Sequence, residues 1–203
     1  MRAFELFEGR NTPCIVVDVQ PEYTGLNDGS ELYWIDDMME FLNRQRGPIL
    51  MFVNAEDQGL TGDTVQDVQL YWEDSGFDPE NWSRTEIVDK GFGYFRSWMD
   101  YGVDESTIIR VIRLMYKQKV TDSRELFGGE ESDDYKSKME ELGVPLDILD
   151  DNISVEWTSV AQLKKFNGAY IMGGGRNECL REVELLMNAF NIKYKRINDF
   201  IYG

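Results

Sequence analysis

Three short apolar runs constrain the fold of this chain more than any other feature. They occupy residues 14–20 (CIVVDVQ), 49–54 (ILMFVN) and 168–172 (GAYIM). Pro or Gly bounds these runs, and their apolar residues are continuous rather than alternating with polar ones. That pattern is typical of strands that are buried on both faces of a parallel sheet. We therefore expect these runs to form strands of one parallel sheet.

Helical patterns lie between these runs. After Asp104, a suitable N-cap, the apolar residues follow the i, i+3, i+4, i+7 spacing of an amphipathic helix: Ile108, Val111, Ile112 and Met115. Further helices are expected around residues 34–42, 65–73 and 179–190, the last capped by Asn177. Two more strands are expected at residues 85–89 and, near a sheet edge, 191–197. Strands that alternate with helices predict an α/β fold, a three-layer Rossmann-like parallel sheet with helices on both faces.

The length of 203 residues suits one domain with a substantial core. Residues 121–167 fit this plan least, because they contain Gly128-Gly129, an acidic run and no clear sheet strand except one near residues 153–155. We interpret them as an insertion, a lobe that restricts access to the site, within a single domain of residues 1–203. The sequence alone does not give the role of this lobe.

Charge and hydropathy exclude several classes of partner. The formal net charge is −17, so the chain should repel nucleic acid and anionic membranes. No segment approaches the roughly 20 apolar residues of a membrane helix, and residues 1–12 lack the pattern of a secretory leader. The two cysteines are too sparse for a disulfide framework. We expect a cytoplasmic protein with a small-molecule substrate, and the sequence leaves a homo-oligomer open.

The chain contains no histidine, and this absence excludes much catalytic chemistry. A Ser-His-Asp or Cys-His unit cannot be built, nor can a metal site that uses imidazole. Three other reactive side chains follow predicted strands: Asp18 after the first, Lys90 after the third, and Cys179 after the GAYIM strand and its glycine turn. Because the carboxyl ends of parallel strands face one crevice, we expect these three side chains to converge there.

Each of the three side chains has a chemical reason to lie in such a crevice. The first turn of a helix and a nearby ammonium from Lys90 would both favour the thiolate of Cys179. Asp18 would accept the thiol proton and return it to the leaving group. The glycines at 173–175 would let main-chain N–H groups approach an oxyanion, with Gly175 and Cys179 as donors. This chemistry needs no cofactor and no metal.

Three segments together resemble one family. CIVVDVQPEY resembles the opening strand of isochorismatase-like cysteine hydrolases, EIVDKGFGYFRSW their lysine segment, and GAYIMGGGRNECLREVELLMNAF their cysteine turn and helix. The resemblance covers about residues 13–98 and residues 168–203. It implies an Asp-Lys-Cys triad of Asp18, Lys90 and Cys179. It also implies a cis peptide at Gly174–Gly175.

The resemblance further implies that Gln20, Tyr94 and Gly174 contact the substrate. It predicts a hydrolase acting on a small amide, carbamoyl or related bond through a covalent Cys179 intermediate. The chain departs from the family in its long interval between lysine and cysteine and in the GFGYF segment after the lysine. Nicotinamide hydrolysis is disfavoured, because the metal site of the family's nicotinamidases contains histidine.

Simpler interpretations of the same residues stay open at this point. A lone cysteine is often inert packing, an aspartate at a strand end often caps a loop, and a lysine there is often a surface residue. The glycine turn would also suit a phosphate. The alternative function is a catalytically silent relative that binds a ligand or partner. A third hypothesis is a magnesium-dependent hydrolase that uses Asp18, Glu22 and other carboxylates.

Overall fold

The structure is a computed structural model that describes residues 11–25, 33–54 and 64–202. Its residues form two compact units. The first unit takes the described residues up to Lys90, together with Phe166–Arg176 and the residues from Tyr194 onward. The second unit takes Gly91–Lys165 and Asn177–Lys193. The chain thus enters the second unit directly after Lys90 and again shortly before Cys179.

A five-stranded parallel sheet forms the centre of the first unit. Numbered in chain order, its strands are β1 (Cys14–Val17), β2 (Ile49–Val53), β3 (Thr85–Asp89), β6 (Ala169–Gly173) and β7 (Tyr194–Arg196). They lie side by side in the order β3-β2-β1-β6-β7, and each neighbouring pair is parallel. The order reverses between β1 and β6. In open α/β sheets such a switch point is where ligands bind, beyond the carboxyl ends of the strands.

The inner strands are buried on both faces, which explains why their apolar residues are continuous. Alternate residues of a strand point to opposite faces. In β1, Cys14 and Val16 point to one face, and Ile15 and Val17 point to the other; all four are 0% exposed. The edge strand β7 differs, because Lys195 is exposed between two half-buried neighbours. The edge position predicted for this strand is confirmed.

Two helices of the first unit, α1 (Tyr33–Arg44) and α2 (Val65–Asp74), share an apolar cluster with the Cys14 and Val16 face of the sheet. A capping box starts α2: the side chain of Thr64 accepts from the N–H of Asp67, whose carboxylate accepts from the N–H of Thr64. The buried Trp72 donates from Nε1 to the carbonyl of Val19 at 2.8 Å. This bond ties α2 to the segment that follows β1.

The second unit is mainly helical. It contains α3 (Phe95–Asp100), α4 (Glu105–Gln118), α5 (Asp133–Glu141), α6 (Trp157–Lys165), α7 (Cys179–Ala189) and a short antiparallel pair of β4 (Phe92–Gly93) and β5 (Ser154–Val155). The predicted N-cap of α4 is confirmed, because the side chain of Asp104 accepts from the N–H of Thr107 at 3.0 Å. The apolar stripe of α4 is buried as predicted.

The α/β fold class with a Rossmann-like parallel sheet is confirmed. Residues 121–167 add no strand to that sheet, since β5 pairs with β4. The expected N-cap of α7 is wrong: Glu178 occupies that position and makes no side-chain capping bond, and Asn177 lies one residue earlier. Cys14 and Cys179 form no disulfide. Within the described ranges, no helix is both long and apolar enough to cross a membrane.

Candidate functional site

Asp18 directly follows β1 and is 1% exposed. Its φ is +48°, in the left-handed region that aspartate and asparagine enter more readily than other non-glycine residues. Its N–H donates to the carbonyl of Phe52 at 2.9 Å, and its own carbonyl accepts from the hydroxyl of Tyr202 at 3.3 Å. The main chain therefore leaves the sheet at Asp18 in an unusual conformation that is held on both sides.

Lys90 directly follows β3, and its N–H donates to the carbonyl of Val53 at 2.9 Å. Strand β2 separates β3 from β1, so Lys90 must span two strand spacings, roughly 10 Å, to reach Asp18. Its long side chain does so: Nζ lies 3.6 Å from Oδ2 of Asp18, and the side chain is 9% exposed. The first unit thus brings together the two triad residues that it contains.

The other carboxylate oxygen of Asp18, Oδ1, is buried and has no hydrogen-bond partner among the described residues. Burying a charged group is costly, and a nearby opposite charge offsets only part of that cost. Nearly all buried polar atoms in native proteins have a partner, so an exception requires an explanation. The pair therefore places a buried carboxylate beside an ammonium, and such coupled ionisable groups are common at functional sites.

Gln20, predicted to contact the substrate, holds the end of β2. Its side chain is 0% exposed; Oε1 accepts from the N–H of Asn54 at 2.9 Å, and Nε2 donates to the carbonyl of Asn54 at 3.3 Å. The side-chain amide of Gln20 therefore pairs with the main chain of Asn54 in the way that a residue of a neighbouring strand would. A contact with a substrate stays a prediction.

The glycine turn begins where β6 ends. Gly173 has a φ of +75°, and a Cβ there would lie 2.6 Å from the carbonyl oxygen of Val17 and 2.6 Å from Cγ2 of Val19. Glycine is therefore required at this position. Gly174 also has a positive φ, of +64°. No peptide bond in the described part of the chain is cis, so the cis peptide expected at Gly174–Gly175 is wrong.

Tyr202 holds the glycine turn in place. Its N–H donates to the carbonyl of Gly174 at 3.3 Å, and its carbonyl accepts from the N–H of Arg176 at 2.9 Å. Gly175 and Tyr202 thus form a parallel β-bridge, in which the N–H of Gly175 points away from Tyr202. No described residue accepts a hydrogen bond from this N–H. The predicted oxyanion donor at Gly175 therefore has an unused hydrogen.

Tyr202 is a positioning residue that no sequence pattern indicated. Its hydroxyl bonds to Asp18 and its main chain bonds to the glycine turn, so one residue positions both segments; its ring also stacks on Trp34, with centroids 6.0 Å apart. A single aromatic residue near the end of a chain carries no pattern that would have indicated this role.

Cys179 is the first residue of α7, in the second unit, and is partly exposed. Its helix start is fixed by two ion pairs: Arg96 of α3 binds Glu178 at 2.6 Å, and Arg181 binds Glu105 of α4. The amides and dipole of a first helical turn favour a thiolate. Whether Cys179 acts together with Asp18 and Lys90 stays a prediction.

Cys14 is a poor nucleophile by comparison. It is 0% exposed in β1, and burial raises its pKa to about 12, with the charge of Arg84 acting in the opposite direction. A thiol with so high a pKa remains protonated at neutral pH. Since the chain has only these two cysteines, any cysteine chemistry falls to Cys179.

Tyr94, the other predicted substrate contact, lies in the second unit as the N-cap of α3. Its φ is +67° and it is 53% exposed. A left-handed conformation at a large residue is strained, and such strain is common at functional sites. The observation agrees with a functional role for Tyr94 without identifying its ligand.

The magnesium hypothesis gains no support from the described residues, among which no group of three or more acidic or cysteine side chains could hold a metal ion. The side chain of Glu22, part of that hypothesis, lies outside what the structure describes. Scans of protein-family models, curated proteins and solved structures found no match to this chain. The family resemblance therefore remains a hypothesis that rests on the quoted motifs.

Proposed function

We propose that this protein is a cysteine-dependent hydrolase that cleaves a small amide, carbamoyl or related bond through a covalent intermediate on Cys179. The observation that carries the proposal is the buried Asp18–Lys90 pair, with Nζ 3.6 Å from Oδ2 and with Oδ1 lacking a partner among the described residues. A buried ion pair adds little net stability compared with apolar residues of similar volume, so the presence of this pair favours a functional role.

The reaction would run in two stages. Asp18 takes the proton from the thiol of Cys179, and the resulting thiolate attacks the carbonyl carbon of the substrate. The C–S bond forms, the C–N bond breaks, and Asp18 gives the proton to the leaving nitrogen. A water molecule then attacks the thioester, Asp18 accepts a proton from it, and the acid departs. The proton that Asp18 took from the water returns to the thiolate.

Lys90 and the glycine turn would supply the electrostatic part of catalysis. The ammonium of Lys90 orients Asp18 and favours the thiolate over the thiol. The main-chain N–H groups of Gly175 and Cys179 would donate to the oxyanion of the tetrahedral intermediate. The unused N–H of Gly175 supports this role.

The proposed partners and location of the protein rest on its net charge and its cysteine content. A net charge of −17 disfavours nucleic acid and anionic membranes as partners, which leaves a small-molecule substrate. The use of only two cysteines in the sequence is typical of a reducing compartment, and we propose a cytoplasmic location. The alternative of a silent ligand-binding protein predicts that Cys179 reacts no faster than a free cysteine, so the rate of its reaction separates the two functions.

Alkylation kinetics test the proposal without knowledge of the substrate. Iodoacetamide is added at pH 7, and modification of each cysteine is followed by peptide mass spectrometry. An ordinary thiol is only about 3% thiolate at this pH. We expect Cys179 to react faster than a free cysteine in solution and Cys14 to remain unmodified. Lys90→Met should slow the reaction of Cys179 because it removes the ammonium that favours the thiolate, whereas Asp18→Asn should remove proton transfer during turnover.

Lys117→Met is the matched control, because it removes the same charge from an exposed position on α4. It should leave the rate unchanged. If Cys179 reacts no faster than free cysteine, or if Lys90→Met and Lys117→Met have the same effect, the proposed activation is wrong and the silent-protein hypothesis is favoured.

A further inference from the structure

Three aromatic side chains of the second unit form a cluster that the proposed hydrolase chemistry does not use. Tyr116 lies in α4, Trp157 begins α6, and Phe190 is the C-cap of α7. Ring centroids are 5.2 Å apart for Tyr116 and Trp157 and 5.1 Å apart for Tyr116 and Phe190, with interplanar angles of 76° and 74°. The faces of Tyr116 and Phe190 thus form a right-angled recess, which we call the aromatic corner.

The aromatic corner is a rigid feature. Trp157 braces it edge-to-face, with its indole Nε1 donating to the carbonyl of Val120 at 3.1 Å. Its residues come from three different helices, so packing of the whole unit fixes its shape. Tyr116 remains 47% exposed, which leaves the corner accessible from solvent.

A cation already occupies the aromatic corner. Nζ of Lys164, in the last turn of α6, lies 4.9 Å from the Tyr116 centroid and 4.7 Å from the Phe190 centroid. Both distances are within the roughly 6 Å at which the face of an aromatic ring attracts a cation. The last carbonyls of α7, next to Phe190, add partial negative charge. Arg113 donates to two of these carbonyls, those of Ala189 and Asn188.

We propose that the aromatic corner binds a small quaternary ammonium ligand, which displaces Lys164. The nitrogen of Lys164 stands further from both rings than the roughly 3.5–4.0 Å of a carbon–carbon contact. A nitrogen at that position has room for methyl groups between itself and the two faces. A trimethylammonium group fills this space, is not strongly hydrated, and is the ligand class that aromatic cages recognise.

The side chain of Lys164 competes with the ligand for the aromatic corner, so removing its charge should make the ligand bind more tightly. Choline is titrated into the wild-type protein and into Lys164→Met, which retains a flexible apolar side chain, with binding measured by calorimetry. We expect saturable binding that is about two- to five-fold tighter in Lys164→Met, the factor that corresponds to an exposed cation–π contact. Lys164→Gln serves as a second variant that opens the corner, and both substitutions lie at an exposed position.

Three controls make the outcome decisive. Lys165→Met removes the same charge at the neighbouring exposed residue and should bind choline like the wild type. The uncharged carbon analogue of choline, 3,3-dimethylbutan-1-ol, should bind Lys164→Met more weakly than choline does. Tyr116→Leu, added to Lys164→Met, should abolish binding. The proposal is overturned if choline fails to saturate Lys164→Met, if the neutral analogue binds equally well, or if Lys165→Met gains as much affinity as Lys164→Met.

Discussion

The substitution Lys90→Met tests whether the Asp18–Lys90 pair is as tightly coupled as its geometry indicates. It removes the ammonium that lies 3.6 Å from a carboxylate that is 1% exposed. Coulomb's law gives an interaction of about 4–5 kcal/mol for unit charges at this distance and an effective dielectric constant of 20. Removing one partner of a buried ion pair typically costs about 3–5 kcal/mol. We therefore expect Lys90→Met to lower the free energy of unfolding by about 3–5 kcal/mol.

A second substitution should rescue the first. Asp18→Asn removes the charge that Lys90→Met leaves stranded, and asparagine tolerates the positive φ at this position. Replacing both members of a buried pair by uncharged groups is often close to neutral. The double variant should therefore be more stable than Lys90→Met alone by about 2–4 kcal/mol.

Urea unfolding followed by tryptophan fluorescence measures these changes, with the m-value as a check that the surface exposed on unfolding is unchanged. Lys117→Met, an exposed charge-matched control, should alter the free energy of unfolding by less than about 0.5 kcal/mol. If Lys90→Met costs no more than this control, or if adding Asp18→Asn destabilises it further, the two charges are not coupled as described.

Two further substitutions test the segments around Asp18. Gly173→Ala should lower the free energy of unfolding by at least about 2 kcal/mol more than Gly76→Ala does. Both glycines have a positive φ, but only the Cβ at Gly173 would meet Val17. Equal urea midpoints for the two variants would contradict the close approach at Gly173. Tyr202→Phe should lower the free energy of unfolding by about 0.5–1.5 kcal/mol through loss of the hydroxyl bond to Asp18, and should speed amide exchange in the glycine turn. Wild-type stability and exchange in Tyr202→Phe would refute its positioning role.

Local sequence patterns predicted the sheet because its inner strands are buried on both faces and must be apolar throughout. The strand at residues 85–89 and the Asp104 cap of α4 were predictable for a different reason: both depend on neighbouring residues alone. The cap of α7 was assigned one residue early, because Asn177 has a high intrinsic preference for a cap. Glu178 occupies the position instead, and its carboxylate binds Arg96 of another helix.

The meeting of Asp18 and Lys90 was predictable from their positions at the ends of parallel strands, since that geometry places such residues at one edge of the sheet. The bonds of Gln20 to Asn54 and of Tyr202 to Asp18 were not predictable, because each joins segments far apart in the chain. Glutamine and tyrosine also occur in many other structural roles, so their identity alone does not indicate these bonds. The pattern of residues in one sequence indicates helical or strand periodicity and helix caps. Hydrogen bonds between distant segments depend on how the whole chain folds.

The central claim is that Cys179 carries a covalent intermediate, and peptide mass spectrometry after exposure to a panel of small amides and carbamoyl compounds tests it most directly. The account predicts a mass increase equal to the acyl part of the substrate, located on the Cys179 peptide, and loss of both adduct and turnover in Cys179→Ala. An adduct on Cys14, or a substrate that Cys179→Ala hydrolyses at the wild-type rate, would contradict it.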